Sequence, residues 1–189
     1  MKKTPIVRLF VAVRIPPHVQ QELHRIQQIL QASGLLKGTY PVPETSHITL
    51  QFIGLVEEQE IDSIIQALQS IQFPPFEITF SSIDYFEHRG SPSVVYLNTA
   101  SKDLARLAHN IKASLESWLT KDDREFIGHL TVMRIKKIDE QEKVHKLINT
   151  ISVTPVSYTV DSFVLMQSEL SSGGPIYKEL ARFPLPDIR

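Results

Sequence analysis

Two short stretches carry the residue types from which chemistry could be built. The first is Ser46-His47-Ile48-Thr49-Leu50 and the second is Gly128-His129-Leu130-Thr131-Val132. Each sets His and Thr two residues apart in an apolar run, and the two histidines are 82 positions apart. In a strand, alternate side chains share a face, so each His-x-Thr presents an imidazole and a hydroxyl together. Two such strands facing one cleft would set two imidazoles around one substrate atom. A neutral imidazole can take a proton from water while an imidazolium gives one to a leaving oxygen, and His is the side chain whose ordinary pKa suits both tasks near neutrality. The hydroxyls of Thr49 and Thr131 can donate to phosphate oxygens, where negative charge grows in a transition state. This chemistry is acid–base work on a phosphate. A lone His in an apolar strand is usually structural, but repetition of the whole motif weighs against that reading here.

Other readings of the histidines are poorer. A zinc site needs further ligands at recognisable spacing, and none is visible. The chain has no cysteine, so disulfides, thiolate nucleophiles and Cys-ligated metals are excluded. His88, His109 and His145 read as exposed turn or helix positions. Gly-rich nucleotide loops and a Gly-x-Ser-x-Gly elbow are also missing. No cofactor and no metal are expected.

Four further residues are candidates for substrate contact. Arg134 is five residues past His129, so a regular strand would turn it to the opposite face, whereas a bulge near Met133 would bring it back. Phe52 could stack on a base, though filling the core is the better default. Arg8, like Arg14, flanks the first strand and would be unremarkable if merely exposed. Tyr177 follows a Gly-containing loop, where its phenol could cover a ligand or anchor the tail.

The elements that must hold these residues follow from periodicity. Alternation over 8–15 reads as a strand, and an apolar stripe of Val19, Leu23, Ile26, Ile29 and Leu30 predicts a helix over 18–32. The first histidine strand covers 47–53, and a helix follows over 57–70. Strands are expected over 76–86 and 94–97, and a helix over 102–119. The second histidine strand covers 127–134, followed by a helix over 139–149 and a strand over 157–166. Ser168 to Gly174 reads as a flexible loop. The order strand, helix, histidine strand, helix, strand therefore occurs twice, over 8–86 and 94–166. Phe76–Ile83 even resembles Val156–Phe163, which points to internal duplication. The expected fold is α+β, bilobal and duplicated: two antiparallel sheets line a central cleft, with helices outside. Each half is expected to contribute one sheet. The whole chain, 1–189, is read as one domain, with a closing segment over 167–189.

Composition is that of an ordinary globule, at 42% hydrophobic and 22% charged. The basic, then apolar start is interrupted by Arg8 and Arg14 and reads as a strand rather than a secretory signal. No run approaches a membrane span, so a cytoplasmic location is the default expectation. A net charge of −1 argues against a broad nucleic-acid-coating face, but leaves room for arginines that hold one or two phosphates.

The paired motifs resemble the signature of the 2H phosphoesterase superfamily. Within it, the chain from about 8 to 185 is similar to the bacterial and archaeal RNA 2′,3′-cyclic phosphodiesterases, once described as 2′-5′ RNA ligases. The matching pieces are Arg8-Leu9-Phe10-Val11-Ala12, Phe52-Ile53-Gly54, Arg134, and the ending Ser168-Glu169-Leu170, Gly174, Tyr177, Leu180 and Phe183. The resemblance implies a pseudo-two-fold fold that opens a terminal cyclic phosphate to a 2′-phosphomonoester without metal. It implies His47 as proton donor to the 3′ oxygen and His129 as proton acceptor for water. Thr49 and Thr131 would hold phosphoryl oxygens, with Arg134 assisting. Members can also join tRNA halves through 2′-5′ links. Gly128 departs from the Pro that many relatives carry before the second His. Other members act on ADP-ribose 1″,2″-cyclic phosphate or 2′-5′ oligoadenylate, so another small cyclic phosphate or a 2′-5′ linkage is the alternative. A non-catalytic RNA-end binding protein is a second alternative. The expected partners are RNA ends or small cyclic nucleotides, with no DNA and no membrane, and the protein is expected to be a monomer.

Overall fold

A computed structural model describes residues 4–120, 125–171 and 174–187. These form strands β1 (Ile6–Arg14), β2 (Leu36–Thr39), β3 (His47–Glu57), β4 (Phe76–Phe80), β5 (Ser82–His88), β6 (Ser91–Asn98), β7 (His129–Ile138), β8 (Val156–Val160), β9 (Ser162–Ser171) and β10 (Gly174–Pro184). The helices are α1 (Pro17–Ala32), α2 (Ile61–Gln69), α3 (Lys102–Ser114) and α4 (Gln141–Thr150). No described helix is long and apolar enough to cross a membrane.

The expected α+β architecture is present, with two antiparallel four-stranded sheets. The first has the order β10-β9-β1-β3 and the second β2-β7-β6-β5. The sheets do not coincide with the halves of the sequence. Strand β5, from the first half, pairs with β6, while β9, from the second half, pairs with β1. The reason lies at Ser81 and Asp161, where the expected single strands 76–86 and 157–166 each break in two. Their leading pieces, the two segments alike in sequence, pair with each other as β4 and β8. The register is Phe76↔Val160, Ile78↔Tyr158 and Phe80↔Val156. This pairing is self-complementary, as at an isologous two-fold contact, with Ile78 and Tyr158 at its centre. Each chain segment then crosses into the sheet begun by the other half.

Helices cross over as well: α1 packs against β7 and α3 against β3. Their apolar stripes, Val19, Leu23, Ile26 and Leu30 on α1 and Leu104, Leu107 and Ile111 on α3, enter one continuous core with Leu9, Val11, Val13, Leu130 and Val132 from the outer sheet faces. Alternate β1 residues Phe10 and Ala12 point the other way and form a small inner cluster with Val164, Met166 and Tyr177. Both faces of β1 are therefore covered, which explains its run of five buried residues from Leu9 to Val13.

Two expectations need correction. Ser168 to Ser171 is strand, because β9 continues through these polar residues while β10 supplies its hydrogen-bonding partners; residues 172–173 lie outside the described residues. His145 is not an exposed helix position but stacks on Tyr85, with ring centroids 5.4 Å apart. His88 and His109 are exposed as expected.

Strand exchange makes each half incomplete alone. Fragments 1–89 and 90–189, cut at the β5–β6 turn, should each lack a cooperative denaturant transition. Mixing them should restore one, followed by near-ultraviolet circular dichroism. Independent cooperative folding of either fragment would contradict the exchange.

Candidate active site

Of the two histidine strands, β3 pairs with β1 and β7 with β6, and although β3 is an edge strand while β7 is also flanked by β2, both contain the same irregularity. In the first sheet Ala12 pairs with Thr49 and Val11 with Gln51, leaving Leu50 unopposed. In the second, Tyr96 pairs with Thr131 and Val95 with Met133, leaving Val132 unopposed. Each extra residue is a β-bulge, and a bulge re-aims the side chains beyond it. His129 and Thr131 face inward, Val132 and Met133 are both buried in the core, and Arg134 returns to the inward side. This overcomes the odd spacing between His129 and Arg134. The equivalent residue after the first bulge is Phe52, paired with Phe10. Phe52 is not core: it is 64% exposed, 6.0 Å from the inward-facing Phe10 ring.

Both imidazoles are fixed in the same way. Nδ1 of His47 lies 3.0 Å from the carbonyl of Thr45, and Nδ1 of His129 lies 2.8 Å from the carbonyl of Ile127. A carbonyl can only accept, so Nδ1 carries hydrogen in each ring and Nε2 is left for proton transfer. Aromatic rings brace them: Phe10 and Tyr177 against His47, at 4.9 and 5.1 Å, and Phe86 and Tyr96 against His129, at 5.0 and 5.4 Å. Asp84 stands across the sheet from Tyr96, and burial together with that carboxylate raises the pKa of the phenol.

Burial lowers the pKa of both histidines, since desolvation disfavours the imidazolium. The carbonyl contacts partly oppose this. The charge of Arg134 lowers both further, and His129 and Arg14 add to the effect on His47. The charges of Arg134 and His129 reach the His47 ring and that of Arg134 reaches the His129 ring, which groups the three side chains in one site. Thr49 and Thr131 lie half-buried on the same inward faces. Arg14, which sequence made unremarkable, pairs across from His47 and lines the pocket beside it with Ser46, Tyr177 and Glu179. Arg8 shares the inner face of β1 but sits six residues from Arg14, roughly 20 Å along a strand, and apart from the imidazoles. Among the described residues no group of three or more metal-ligating side chains converges.

Buried Gln27 of α1 is a supporting residue that periodicity hid. Its amide donates to the carbonyl of Val132, the bulged residue, at 3.2 Å and to Pro41 at 2.8 Å. Gly38 has a similar role on the other side, since a Cβ there would overlap the Arg134 carbonyl. Gly128 does not loosen the approach to His129. Its carbonyl accepts from the Thr99 amide, and a Cβ would come within 3.2 Å of the Thr99 carbonyl and 2.8 Å of Leu104.

A model of the 2′-5′ RNA ligase superfamily matches residues 15–171. The chain belongs to this superfamily. An RNA 2′,3′-cyclic phosphodiesterase of Archaeoglobus fulgidus is 34% identical over 180 residues, covering 94% of this chain and 99% of its own. One from Thermotoga maritima is 32% identical over 177 residues, covering 92% and 93%. In three dimensions, a Thermus thermophilus protein superposes with a TM-score of 0.77 at 27% identity, over 96% of this chain and 100% of its own. E. coli LigT in its apo form shares the fold, with a TM-score of 0.77 at 22% identity, over 96% and 99%. The resemblance to the 2H phosphoesterases, drawn from the paired motifs, is thereby borne out.

Both imidazoles should titrate with midpoints below the ordinary 6.5 in NMR spectra of the free protein. Arg134→Gln should raise both, because a cation opposing each imidazolium is gone; unchanged midpoints would place Arg134 away from the pair. Gln27→Leu should cost about 2 kcal/mol in denaturant unfolding, since two carbonyls lose their donor. A change of only a few tenths would show that the bulge needs no such support.

Proposed function

We propose that this protein hydrolyses the 2′,3′-cyclic phosphate at an RNA end to a 2′-phosphomonoester, by metal-independent catalysis with two histidines. The phosphorus lies between the imidazoles. Nε2 of His129 takes a proton from water as the water oxygen bonds to phosphorus. The bond from phosphorus to the 3′ oxygen breaks, and Nε2 of His47 protonates that oxygen. Phosphate remains on the 2′ oxygen. Thr49 and Thr131 donate to the non-bridging oxygens, and the Arg134 guanidinium balances charge gathered there.

The observation that carries this reading is the matched pair of Nδ1-anchored imidazoles in one electrostatically coupled site. The assignment of roles rests on the resemblance of the two motifs to those of the 2H phosphoesterases, since burial and the Arg134 charge lower the pKa of both rings alike. A phosphate anion in the cleft offsets the cations and raises both pKa values, which lets one ring hold a proton near neutral pH. Preference for an RNA end is supported by exposed Phe52, a surface on which a base can stack, and by the named activity of the relatives from Archaeoglobus and Thermotoga.

The test is a short RNA ending in 2′,3′-cyclic phosphate, incubated with chelator, with the position of the product phosphate determined. The expected product is the 2′-phosphate. His47→Ala and His129→Ala should fold and each lose on the order of 10²–10⁴ in rate. Near-native rates in both variants, or a 3′-phosphate product, would overturn the mechanism.

A further inference from the structure

Arg14, Tyr177 and Glu179 are among the residues that line the His47 pocket. Arg14 also borders a second cavity, whose wall includes Ser162 and Arg182. One carboxylate joins the two arginines. Glu179 accepts from Arg14 Nη1 at 3.1 Å, and from Arg182 Nε and Nη2 at 3.0 and 2.9 Å. Arg182 Nη1 also reaches Ser162 Oγ at 3.4 Å. All three charged residues share the inner face of the first sheet: Arg14 pairs with His47, Glu179 with the inward Met166, and Arg182 with the inward Val164. Asp161 lines the second cavity and accepts from Ser162 Oγ at 2.9 Å, so a second carboxylate stands nearby, but of the two only Glu179 bonds the guanidiniums directly. The arginines are 51% and 50% exposed while Glu179 is 26% exposed, so both guanidiniums keep donors open to a ligand.

We infer that Arg14 and Arg182, held by Glu179, form a second anion subsite that receives the phosphodiester on the 5′ side of the terminal nucleotide. This rests on the proposed function, through one consequence of it. If His47 protonates the departing 3′ oxygen, the ribose lies on the His47 side of the phosphorus, and water enters from the His129 side. The RNA chain then leaves the cleft over the first sheet, where the cluster stands next to the His47 pocket. Guanidiniums suit this task because they donate to phosphate in a fixed fork. A clamp between β10 and β1 is the competing role, since the Arg182–Glu179 pair is bidentate and continues to Arg14, and a substrate-selective loss separates the two roles.

The experiment compares a dinucleotide ending in 2′,3′-cyclic phosphate, which has one internal phosphodiester, with the matching nucleoside 2′,3′-cyclic phosphate, which has none. Arg182→Gln is the informative variant, since Arg14 also acts on His47. It should lower kcat/KM for the dinucleotide roughly tenfold, through KM, and leave the mononucleotide reaction unchanged. Arg182→Lys, which keeps the charge without the fork, should recover part of the loss. Equal losses on both substrates, no loss on either, or a lowered unfolding temperature alone would overturn the subsite and leave the proposed function standing. If the native protein hydrolyses neither substrate, the proposed function fails and the subsite with it.

Discussion

Residues 76–80 and 156–160 meet in a register that maps each segment onto the other, and the site depends on that meeting. Because β4 and β8 pair about Ile78 and Tyr158, the chain beyond each must cross to the opposite sheet. The crossing ties the sheets together at one place and sets their histidine strands near each other. Neither half-site is useful alone, since an acid without its base cannot move a proton onto one oxygen and off another. Backbone hydrogen bonding between two short strands is thus the constraint that turns a duplicated sequence into one cleft.

Within the cleft, the same local device appears twice. A carbonyl two residues before each His fixes the ring through Nδ1, and a bulge after each Thr re-aims the rest of the strand. The side chains delivered beyond the two bulges differ. The first motif presents an exposed aromatic ring, Phe52, and the second a guanidinium, Arg134. Duplication supplied two imidazoles anchored alike, and divergence at one position gave each side of the cleft a different surface. The site opposes its own protonation, because burial and arginine charge both disfavour imidazolium. An anion would relieve that opposition, so under the proposed function the substrate helps to set the protonation state that its reaction requires.

Much of this was legible in the chain. Alternation and helical stripes located the main elements, and the repeated His-x-Thr located the two imidazoles of the candidate site. The resemblance between 76–83 and 156–163 disclosed the duplication, but not that these segments pair, because sequence likeness gives no register. Exchange of β5 and β9 was hidden for the same reason: Ser81 and Asp161 are ordinary residues, and breaks there depend on partners far along the chain. Phe52 was misjudged because an aromatic in an apolar run usually faces the core; its orientation depends on the bulge at Leu50, which only pairing with β1 reveals. Ser168 to Ser171 looked too polar for a strand until β10 supplied its partner. Gln27 and Gly38 carry no motif, and their importance comes from the backbone of β7 they touch.

The central claim is that His47 and His129 act as one acid–base pair on one phosphate. A double-mutant cycle tests it most directly, with His47→Ala, His129→Ala and the double variant assayed on one cyclic-phosphate RNA under one set of conditions. Groups that act as a unit are strongly non-additive. The account predicts a double variant about as slow as the slower single variant. Losses that multiply would show two independently acting histidines and contradict the single site.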